Sequence, residues 1–403
     1  MIKKISPAII LLLCLNCTNI DTNTVLNKNV DVIEICPEKA REYVNLSFFV
    51  DSITYIKLNQ NSEELIGDTY RIIIRDKYIY LIDRILRQII LFDKKGFFVT
   101  KLSKYGEGPE CYSFLGPVFV DSTEMFISII DMKTNKLMKY SNITFDLVET
   151  ETFPDINFNT CVKTKNDIYY IATQQFDNLI NGEMTNSEFV IYANGEFTNT
   201  PFDKRIKTNK NYYSPVTETI LAEDNDKYYY SSMFSNVIYN IDSTNLSPLY
   251  KVDFGDYNLC EKTSMLPLDK QIEYINQMKD IAAFPVMTLN NERYLIISYY
   301  FKEDEKQNMF RQKDLRQFII AKESGKTYHT KQIKNDISDF PEYVSFDSYF
   351  SCTHDIFYDG YFVEVIIPSK YLDSIGKESV EIEGLGVITP DSDPIIVLMK
   401  AKR

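Results

Sequence analysis

The sequence predicts an all-β protein, a six-bladed β-propeller. The chain of 403 residues contains 29 Tyr and 26 Phe, and aromatic residues favour half-buried strands. Groups of strand-like runs separated by polar turns recur every 45 to 65 residues or so. A period of roughly 40–50 residues with several strands in each unit is typical of propeller blades.

The repeated unit is clearest at residues 76–103, DKYIYLIDRILRQIILFDKKGFFVTKLS. It contains the strand-like runs YIYLID, QIILFD and FFVTKLS, separated by short polar turns. Residues 123–150 repeat this order. Further copies begin near residues 167, 227, 292 and 355, which makes six in all.

Two terminal segments are candidates to close the ring. SITYIKLN at 52–59 precedes the first repeat, and PIIVLMKAKR at 394–403 follows the last. A closed ring removes exposed strand edges, so we expect terminal strands to share a blade.

One insertion is predicted to be a short helix near residues 268–284. Ile272, Ile275, Met278 and Ile281 recur there at helical spacing. We expect this apolar stripe to pack on the propeller.

The N-terminus, MIKKISPAIILLLCLNC, predicts an exported lipoprotein. Lys3 and Lys4 precede an apolar run that is too short to span a membrane. The expected organisation is a signal peptide at 1–16, a tether at 17–40 that is lipidated at Cys17, and a propeller at 41–403. Asn16 and Cys14 depart from the usual residues before an acylated cysteine, so ordinary signal-peptide cleavage is the alternative.

Composition excludes several functions. A formal charge of −13 argues against sequence-independent nucleic-acid binding and against adhesion to anionic lipid head groups. The cysteines lack metal or redox spacing, and two histidines without H-x-x-x-H spacing argue against zinc. We therefore predict no metal and no cofactor.

No catalytic residue is predicted. A histidine base would have to be His329 or His354, and the nearby Cys352 does not enforce attack geometry on His354. There is no G-x-S-x-G nucleophile elbow. Both histidines are therefore interpreted as packed or surface residues.

Recurrent polar and aromatic positions have structural interpretations. A group of aspartates at strand ends is expected to cap turn amides: Asp83, Asp93, Asp131 and Asp242. KEDEK at 302–306 is interpreted as a solvated loop, and the tyrosine-rich runs at 228–232 and 297–301 as packing residues.

YGEGPECY at 105–112 is interpreted as a tight corner. A dinucleotide fingerprint needs a following helix and a third glycine, and neither is present. Glycines can adopt positive φ, and a proline restricts the residue before it to an extended backbone conformation. The corner could also face a ligand, and its candidate ligand-facing residues are Tyr105, Gly106, Gly108, Pro109 and Tyr112.

The chain resembles six-bladed β-propeller lipoproteins of Bacteroides and relatives. SITYIKLN, IYLIDRILRQIILFDKKGFF, YGEGPECY and DSDPIIVLMKAKR resemble that family's opening strand, first repeat, G.GPGEY turn and final strand. The resemblance covers about residue 42 to the end, and implies an envelope lipoprotein whose activity is largely unassigned. Glu110 replaces the family's glycine after proline, and Cys111 its glutamate.

Three functions remain open. The first is a non-enzymatic module that binds a glycan, a peptide or an envelope protein through one propeller face, on an outer-membrane anchor at Cys17. The second is an enzyme, a lyase or hydrolase, with an axial site assembled from several blades. The third is a structural scaffold. A tight cluster of titratable groups with perturbed pKa at the channel mouth would favour an enzyme.

Overall fold

The computed structural model describes residues 30–402 except 60, 62–63, 159, 174–176, 186, 200–218, 224–226, 233–234, 260–267, 304–311 and 347–354. Cys17, Cys352 and His354 lie outside the described residues. In the described part of the chain, no helix is long and apolar enough to cross a membrane.

The described residues begin with three strands that precede the first complete blade: β1 (Asp31–Glu34), β2 (Arg41–Asn45) and β3 (Val50–Lys57). The first blade contains β4 (Arg71–Ile74), β5 (Tyr78–Asp83), β6 (Gln88–Asp93) and β7 (Phe98–Leu102). The second contains β8 (Val118–Val120), β9 (Phe126–Asp131), β10 (Lys136–Ser141) and β11 (Leu147–Thr152).

The third blade contains β12 (Thr160–Lys163), β13 (Tyr169–Ala172), the inserted hairpin β14 (Asn178–Ile180) and β15 (Glu183–Thr185), then β16 (Phe189–Ala193) and β17 (Glu196–Asn199). The fourth contains β18 (Thr219–Glu223), β19 (Lys227–Ser231), β20 (Val237–Asp242) and β21 (Asn245–Asp253).

Helix α1 (Leu268–Gln277) precedes the fifth blade, which contains β22 (Ile281–Asn290), β23 (Tyr294–Lys302), β24 (Leu315–Ala321), β25 (Lys326–Lys334) and the short β26 (Tyr343–Val344). The last segment contains β27 (Phe357–Tyr358), β28 (Tyr361–Ile366), α2 (Pro368–Ile375), the hairpin β29 (Val380–Ile382) and β30 (Gly386–Ile388), and β31 (Ile395–Ala401). Single 3₁₀ turns lie at Pro37–Lys39, Leu46–Phe48, Gly255–Tyr257 and Gln312–Asp314.

Alternation along each strand explains why the blades stack. In β5, Tyr80 and Ile82 pack against the second blade, whereas Ile79 and Leu81 pack against the sixth. Successive side chains of a strand point to opposite faces, so a sheet between two others needs apolar residues at every position. The near-continuous apolar runs of the sequence therefore encode sheets that are buried on both sides.

Six apolar clusters join each blade to the next, and the one between the sixth and first blades completes the ring. The predicted closure is confirmed: β3 pairs antiparallel with β31, from Val50 opposite Ala401 to Lys57 opposite Ile395. The N-terminal strand thus becomes the outer strand of the sixth blade, whose strand order is β27-β28-β31-β3.

The residues before β3 form an outer strap. β1 adds in parallel to β21 of the fourth blade, and β2 adds in parallel to β25 of the fifth. Between them, Ile35 is buried in the cluster that joins these two blades. Residues 17–40 were expected to form a tether. The described part of that range, residues 30–40, instead lies on the propeller, because β1 pairs with the free edge of the fourth blade.

Because neighbouring strands of a blade run antiparallel, successive connections lie on opposite faces of the propeller. Turns between first and second strands, and between third and fourth strands, share one face, and none of these exceeds five residues. We call it the short-turn face. The connections between second and third strands, and those between consecutive blades, lie on the opposite face. We call it the long-loop face. The hairpins β14–β15 and β29–β30 and both α-helices belong to long-loop connections.

Three sequence predictions require correction in detail. Each blade has at least four strands, whereas the repeats showed three, because the first strand is short in several blades, as in β8 and β27. The predicted helical insertion is present, but the helix ends at Gln277, and Ile281 begins β22. Lys302 of the expected solvated loop is instead fully buried, where its Nζ donates to the carbonyls of Ile275 (2.6 Å) and Asn276 (3.1 Å).

Candidate functional site

A cavity of about 240 Å³ opens on the long-loop face between the first and second blades. Its walls are the turn between β5 and β6, residues 84–87, and the connector between the two blades, residues 103–117. The lining side chains are Arg84, Arg87, Tyr105, Ser113, Phe114 and Leu115. The predicted corner therefore forms part of a concave site.

Asp83 holds the turn that carries the two arginines. Its buried carboxylate accepts hydrogen bonds from the amides of Ile85 (3.0 Å) and Leu86 (2.9 Å) within that turn. It also accepts from Gly67 (2.7 Å) and Asp68 (3.2 Å) in the preceding connector. Four backbone amides that donate to one carboxylate fix the backbone from which Arg84 and Arg87 project.

Both guanidinium groups stack on tyrosine rings. The Arg84 Cζ lies 3.2 Å from the centroid of the Tyr70 ring, and the Arg87 Cζ lies 4.0 Å from that of Tyr105. Among the described residues, neither guanidinium has a hydrogen-bond or ion-pair partner. Stacking uses the flat face of a guanidinium and leaves its N–H groups free to donate.

Asp131 holds the opposite wall in the same way. Its carboxylate accepts from the Ser113 amide (2.8 Å) and hydroxyl (2.9 Å), and from the amides of Lys133 (3.1 Å) and Thr134 (3.3 Å). Burial by itself raises the pKa of Asp131, but these hydrogen bonds outweigh it and hold that pKa below its usual value. Asp83 and Asp131 occupy equivalent strand ends in consecutive blades.

The capping prediction for the strand-end aspartates is confirmed at Asp83, Asp93 and Asp131. Asp93 accepts from the amides of Lys95 (2.8 Å) and Phe97 (3.0 Å). Asp242 instead accepts a long hydrogen bond from the Ser243 hydroxyl (3.4 Å).

The YGEGPECY segment is a closed corner. Tyr105 and Tyr112 form a β-bridge, and the Gly106 amide donates to the Tyr112 carbonyl (3.0 Å). Gly108 has no positive φ. A Cβ added at Gly108 would lie 3.1 Å from the Cys111 Sγ, so close packing rather than backbone conformation favours glycine there.

The corner residues have different surroundings. Tyr105 lines the cavity and is 47% exposed. Gly108 and Pro109 are exposed, and neither they nor Gly106 line the cavity. Tyr112 has no exposed surface, and its hydroxyl donates to the Arg87 carbonyl (2.6 Å). Burial raises the pKa of Tyr112 above its usual value. Tyr112 thus supports the turn that carries Arg87.

An apolar rim accompanies the charged groups. Phe114 is 44% exposed in the cavity wall, and Ile85, in the turn between the arginines, is 65% exposed. Leu65 is 69% exposed, and its carbonyl accepts from Gln88 directly after that turn. Exposed apolar groups beside a few placed polar groups are typical of ligand sites.

The other candidates are structural. The imidazole of His329 shares a 2.7 Å hydrogen bond with the Tyr299 hydroxyl, which confirms the packed interpretation. Burial, and then the Arg316 charge, lower the pKa of His329 to about 4.

The described tyrosines of the two aromatic runs are buried, which confirms packing: Tyr228, Tyr229, Tyr230, Tyr299 and Tyr300. Within the described ranges, no group of three or more His, Cys, Asp or Glu is placed to hold a metal ion.

Sequence reasoning did not identify Arg84, Arg87, Ser113 or Phe114. The available signal was DRILR, which places two arginines in one short turn of an acidic chain. Their significance depends on Tyr70 and Tyr105, which come from other connections.

Residues 30–400 match a family described as "Domain of unknown function (DUF4934)". No curated protein matches the chain. A crystal structure of a Bacteroides fragilis protein, named provisionally as exported, is similar with a TM-score of 0.63 and 16% identity, covering 92% of this chain and 100% of that one. A Bacteroides vulgatus member of the DUF4221 family is similar with a TM-score of 0.53 and 9% identity, over 88% of this chain and 98% of that one. At these identities, the similarity shows the propeller fold.

Proposed function

Since this chain belongs to the DUF4934 family, a family without an assigned function, we propose that it is a cell-envelope binding protein that holds its ligand in the cavity between its first two blades. The observation that carries this proposal is that Arg84 and Arg87, which have no hydrogen-bond or ion-pair partner among the described residues, lie beside the exposed rings of Tyr105 and Phe114. The concentration of long connections on the same face supports it, because binding residues are commonly carried by loops on a rigid scaffold.

The N-terminal signal supports a location in the envelope. Lys3, Lys4 and the short apolar run before Cys17 fit a lipoprotein that is acylated at Cys17 and anchored to the outer membrane, on its periplasmic or outer side. The exported name of the Bacteroides fragilis neighbour agrees with that location.

The lining of the cavity favours binding over catalysis. Ser113 carries the one aliphatic hydroxyl among the described lining side chains, and it donates to the Asp131 carboxylate, whose lowered pKa makes it a weak proton acceptor. No carboxylate, imidazole or thiol is among the lining side chains. An arginine remains protonated at every physiological pH, so the described lining offers recognition groups and no group that exchanges protons near neutrality.

A single-tryptophan reporter tests this proposal, because the chain contains no tryptophan. In the purified full chain, Phe114→Trp places the fluorophore in the cavity wall. Phe97→Trp is the matched control: Phe97 has similar exposure, 38% against 44%, and lies on the short-turn face. We expect at least one member of a panel of oligosaccharides and peptides to change the emission of Phe114→Trp and not of Phe97→Trp.

The response should disappear when Tyr105→Ala is added, without a change in melting temperature. Equal responses of the two reporters, or none to any member of the panel, would contradict binding in this cavity.

A further inference from the structure

We propose that the ligand of this cavity carries a carboxylate next to a flat apolar surface, as an acidic sugar unit does, and that Arg84 and Arg87 bind the carboxylate. The inference rests on the proposed binding function and names its ligand class. Tyr105 and Phe114 would contact the apolar surface of the sugar ring.

The charge balance supports an anionic ligand. The chain has 57 acidic and 44 basic residues, and some of its arginines pair with carboxylates. Arg75 pairs with Asp355 at 3.3 Å, and the buried Arg316 pairs with Glu303 at 2.6 Å. Arg84 and Arg87 have no such partner among the described residues, and both line the cavity, so their N–H groups are available to an anionic ligand.

The arrangement of the arginines is prepared before a ligand arrives. The two guanidinium groups lie against the rings of Tyr70 and Tyr105, and the bonds to Asp83 hold the backbone between them. Because less side-chain freedom remains to be lost on binding, more of the interaction energy appears as affinity. A planar fork of N–H donors matches the two oxygens of a carboxylate.

The apolar part of the site distinguishes this ligand from a simple anion. An inorganic ion has no surface to bury against Tyr105 and Phe114, whose rings are 47% and 44% exposed. A cavity of about 240 Å³ is below the roughly 300–1,000 Å³ typical of sites for drug-sized ligands, so it suits one compact unit.

An acidic peptide is the alternative ligand, because clusters of arginines also recognise acidic motifs. The small volume of the cavity, about 240 Å³, and the two exposed rings beside the arginines favour a single sugar unit. A peptide with a free carboxylate is therefore included among the probes.

The test uses the full chain with the Phe114→Trp reporter and four probes. These are a galacturonic-acid trisaccharide, the corresponding neutral galactose trisaccharide, inorganic phosphate, and a short peptide that ends in phenylalanine with a free carboxylate. We expect the acidic trisaccharide to change the emission, with an affinity that falls as salt rises. The other three probes should bind at least tenfold more weakly.

Arg84→Gln and Arg87→Gln should each weaken binding of the acidic trisaccharide by roughly 10- to 100-fold, the effect expected from loss of a charged hydrogen bond. Arg41→Gln is the matched control, because Arg41 is an exposed arginine on β2 at the outer edge of the fifth blade, away from the cavity. Equal melting temperatures of the variants would show that the fold is unchanged.

Each other outcome overturns the inference in a recognisable way. Equal binding of the neutral trisaccharide, or unchanged affinity in both arginine variants, would exclude carboxylate recognition and leave the cavity as the binding site. Preference for phosphate would exclude the apolar contact, and preference for the peptide would exclude the sugar. No response to the acidic trisaccharide, with a response to a neutral member of the wider panel, would overturn the ligand class alone.

Discussion

Ser113 donates two hydrogen bonds to one oxygen of Asp131, from its amide at 2.8 Å and from its hydroxyl at 2.9 Å. Asp131 ends the second strand of the second blade, and Ser113 lies in the connector that forms a wall of the cavity. The contact joins the framework of the propeller to the site, because the same carboxylate also caps its own turn.

Replacing Asp131 by asparagine should lower stability by about 1–2 kcal/mol, since a charged acceptor of several hydrogen bonds becomes neutral. The folded-state pKa of Asp131 lies below its ordinary 3.8. The stabilisation by the ionised Asp131 carboxylate is therefore fully present above pH 3.8, and it is lost as the pH falls through the lower pKa of the folded state. Urea unfolding at neutral and acidic pH measures this, and Asp131→Asn should flatten the acid side of the stability curve. Asp242→Asn is the control, because Asp242 is exposed. Equal effects of the two substitutions would contradict the role of Asp131.

Phe49→Ala should lower the free energy of unfolding by about 3–5 kcal/mol, the usual cost of removing a buried phenylalanine. The Phe49 ring has no exposed surface and makes edge-to-face contacts with Tyr294, Tyr328 and Phe346. Its carbonyl accepts a hydrogen bond from the Lys402 amide (2.8 Å), beside the pairing of β3 with β31 that closes the ring.

The neighbouring Phe48, which is 48% exposed, provides the control. Phe48→Ala should cost less than about 1 kcal/mol, since little apolar area returns to water. Denaturant titration compares the two variants. A similar loss for both would show that closure does not depend on the buried ring.

Glu124→Gln should lower stability by about 1–3 kcal/mol. The buried Glu124 carboxylate accepts from the amides of Lys77 (2.7 Å) and Tyr78 (3.2 Å) and from the Tyr80 hydroxyl (3.0 Å), and so joins the first two blades on the short-turn face. An amide there offers one acceptor oxygen and brings a donor toward other donors.

Glu110→Gln removes a surface ion pair with Lys104 (2.8 Å), and should change stability by less than about 1 kcal/mol. Thermal unfolding of both variants at one pH measures the difference. A larger loss of stability in Glu110→Gln than in Glu124→Gln would contradict the role of Glu124 in joining the two blades.

His329 should make the fold less stable at acidic pH. Its pKa is about 4 in the folded chain, against an ordinary value of 6.5. Between these values the unfolded chain binds a proton that the folded chain resists, so stability falls as pH drops from 6.5 to 4. With allowance for partial exposure, the fall is about 2 kcal/mol.

His329→Gln should remove this part of the pH dependence, although loss of the bond to Tyr299 lowers stability at neutral pH. Urea midpoints taken at several pH values between 4 and 7 are the measurement. An unchanged slope in the variant would mean that other groups cause the acid sensitivity.

The sequence by itself determined the repeated blade. In YIYLID and QIILFD, apolar residues at consecutive positions serve two neighbouring sheets, and the terminal aspartates cap the turns that follow. These features are local in the chain, so periodicity and turn chemistry predict them. The corner was predictable for the same reason, whereas the terminal strands were candidates for closure because a closed ring removes exposed strand edges.

The tertiary structure decided which of these features form a site. Tyr105 and Tyr112 are similar in sequence context, yet one lines a cavity and the other is buried beneath it. The strap strand β1 was not predicted, because a strand at an outer edge is largely exposed and lacks an alternating pattern. Arg84 and Arg87 gain their significance from tyrosines in other connections. Such relations depend on how consecutive blades pack, which brings separate connections together on one face, and no local pattern of residues encodes them.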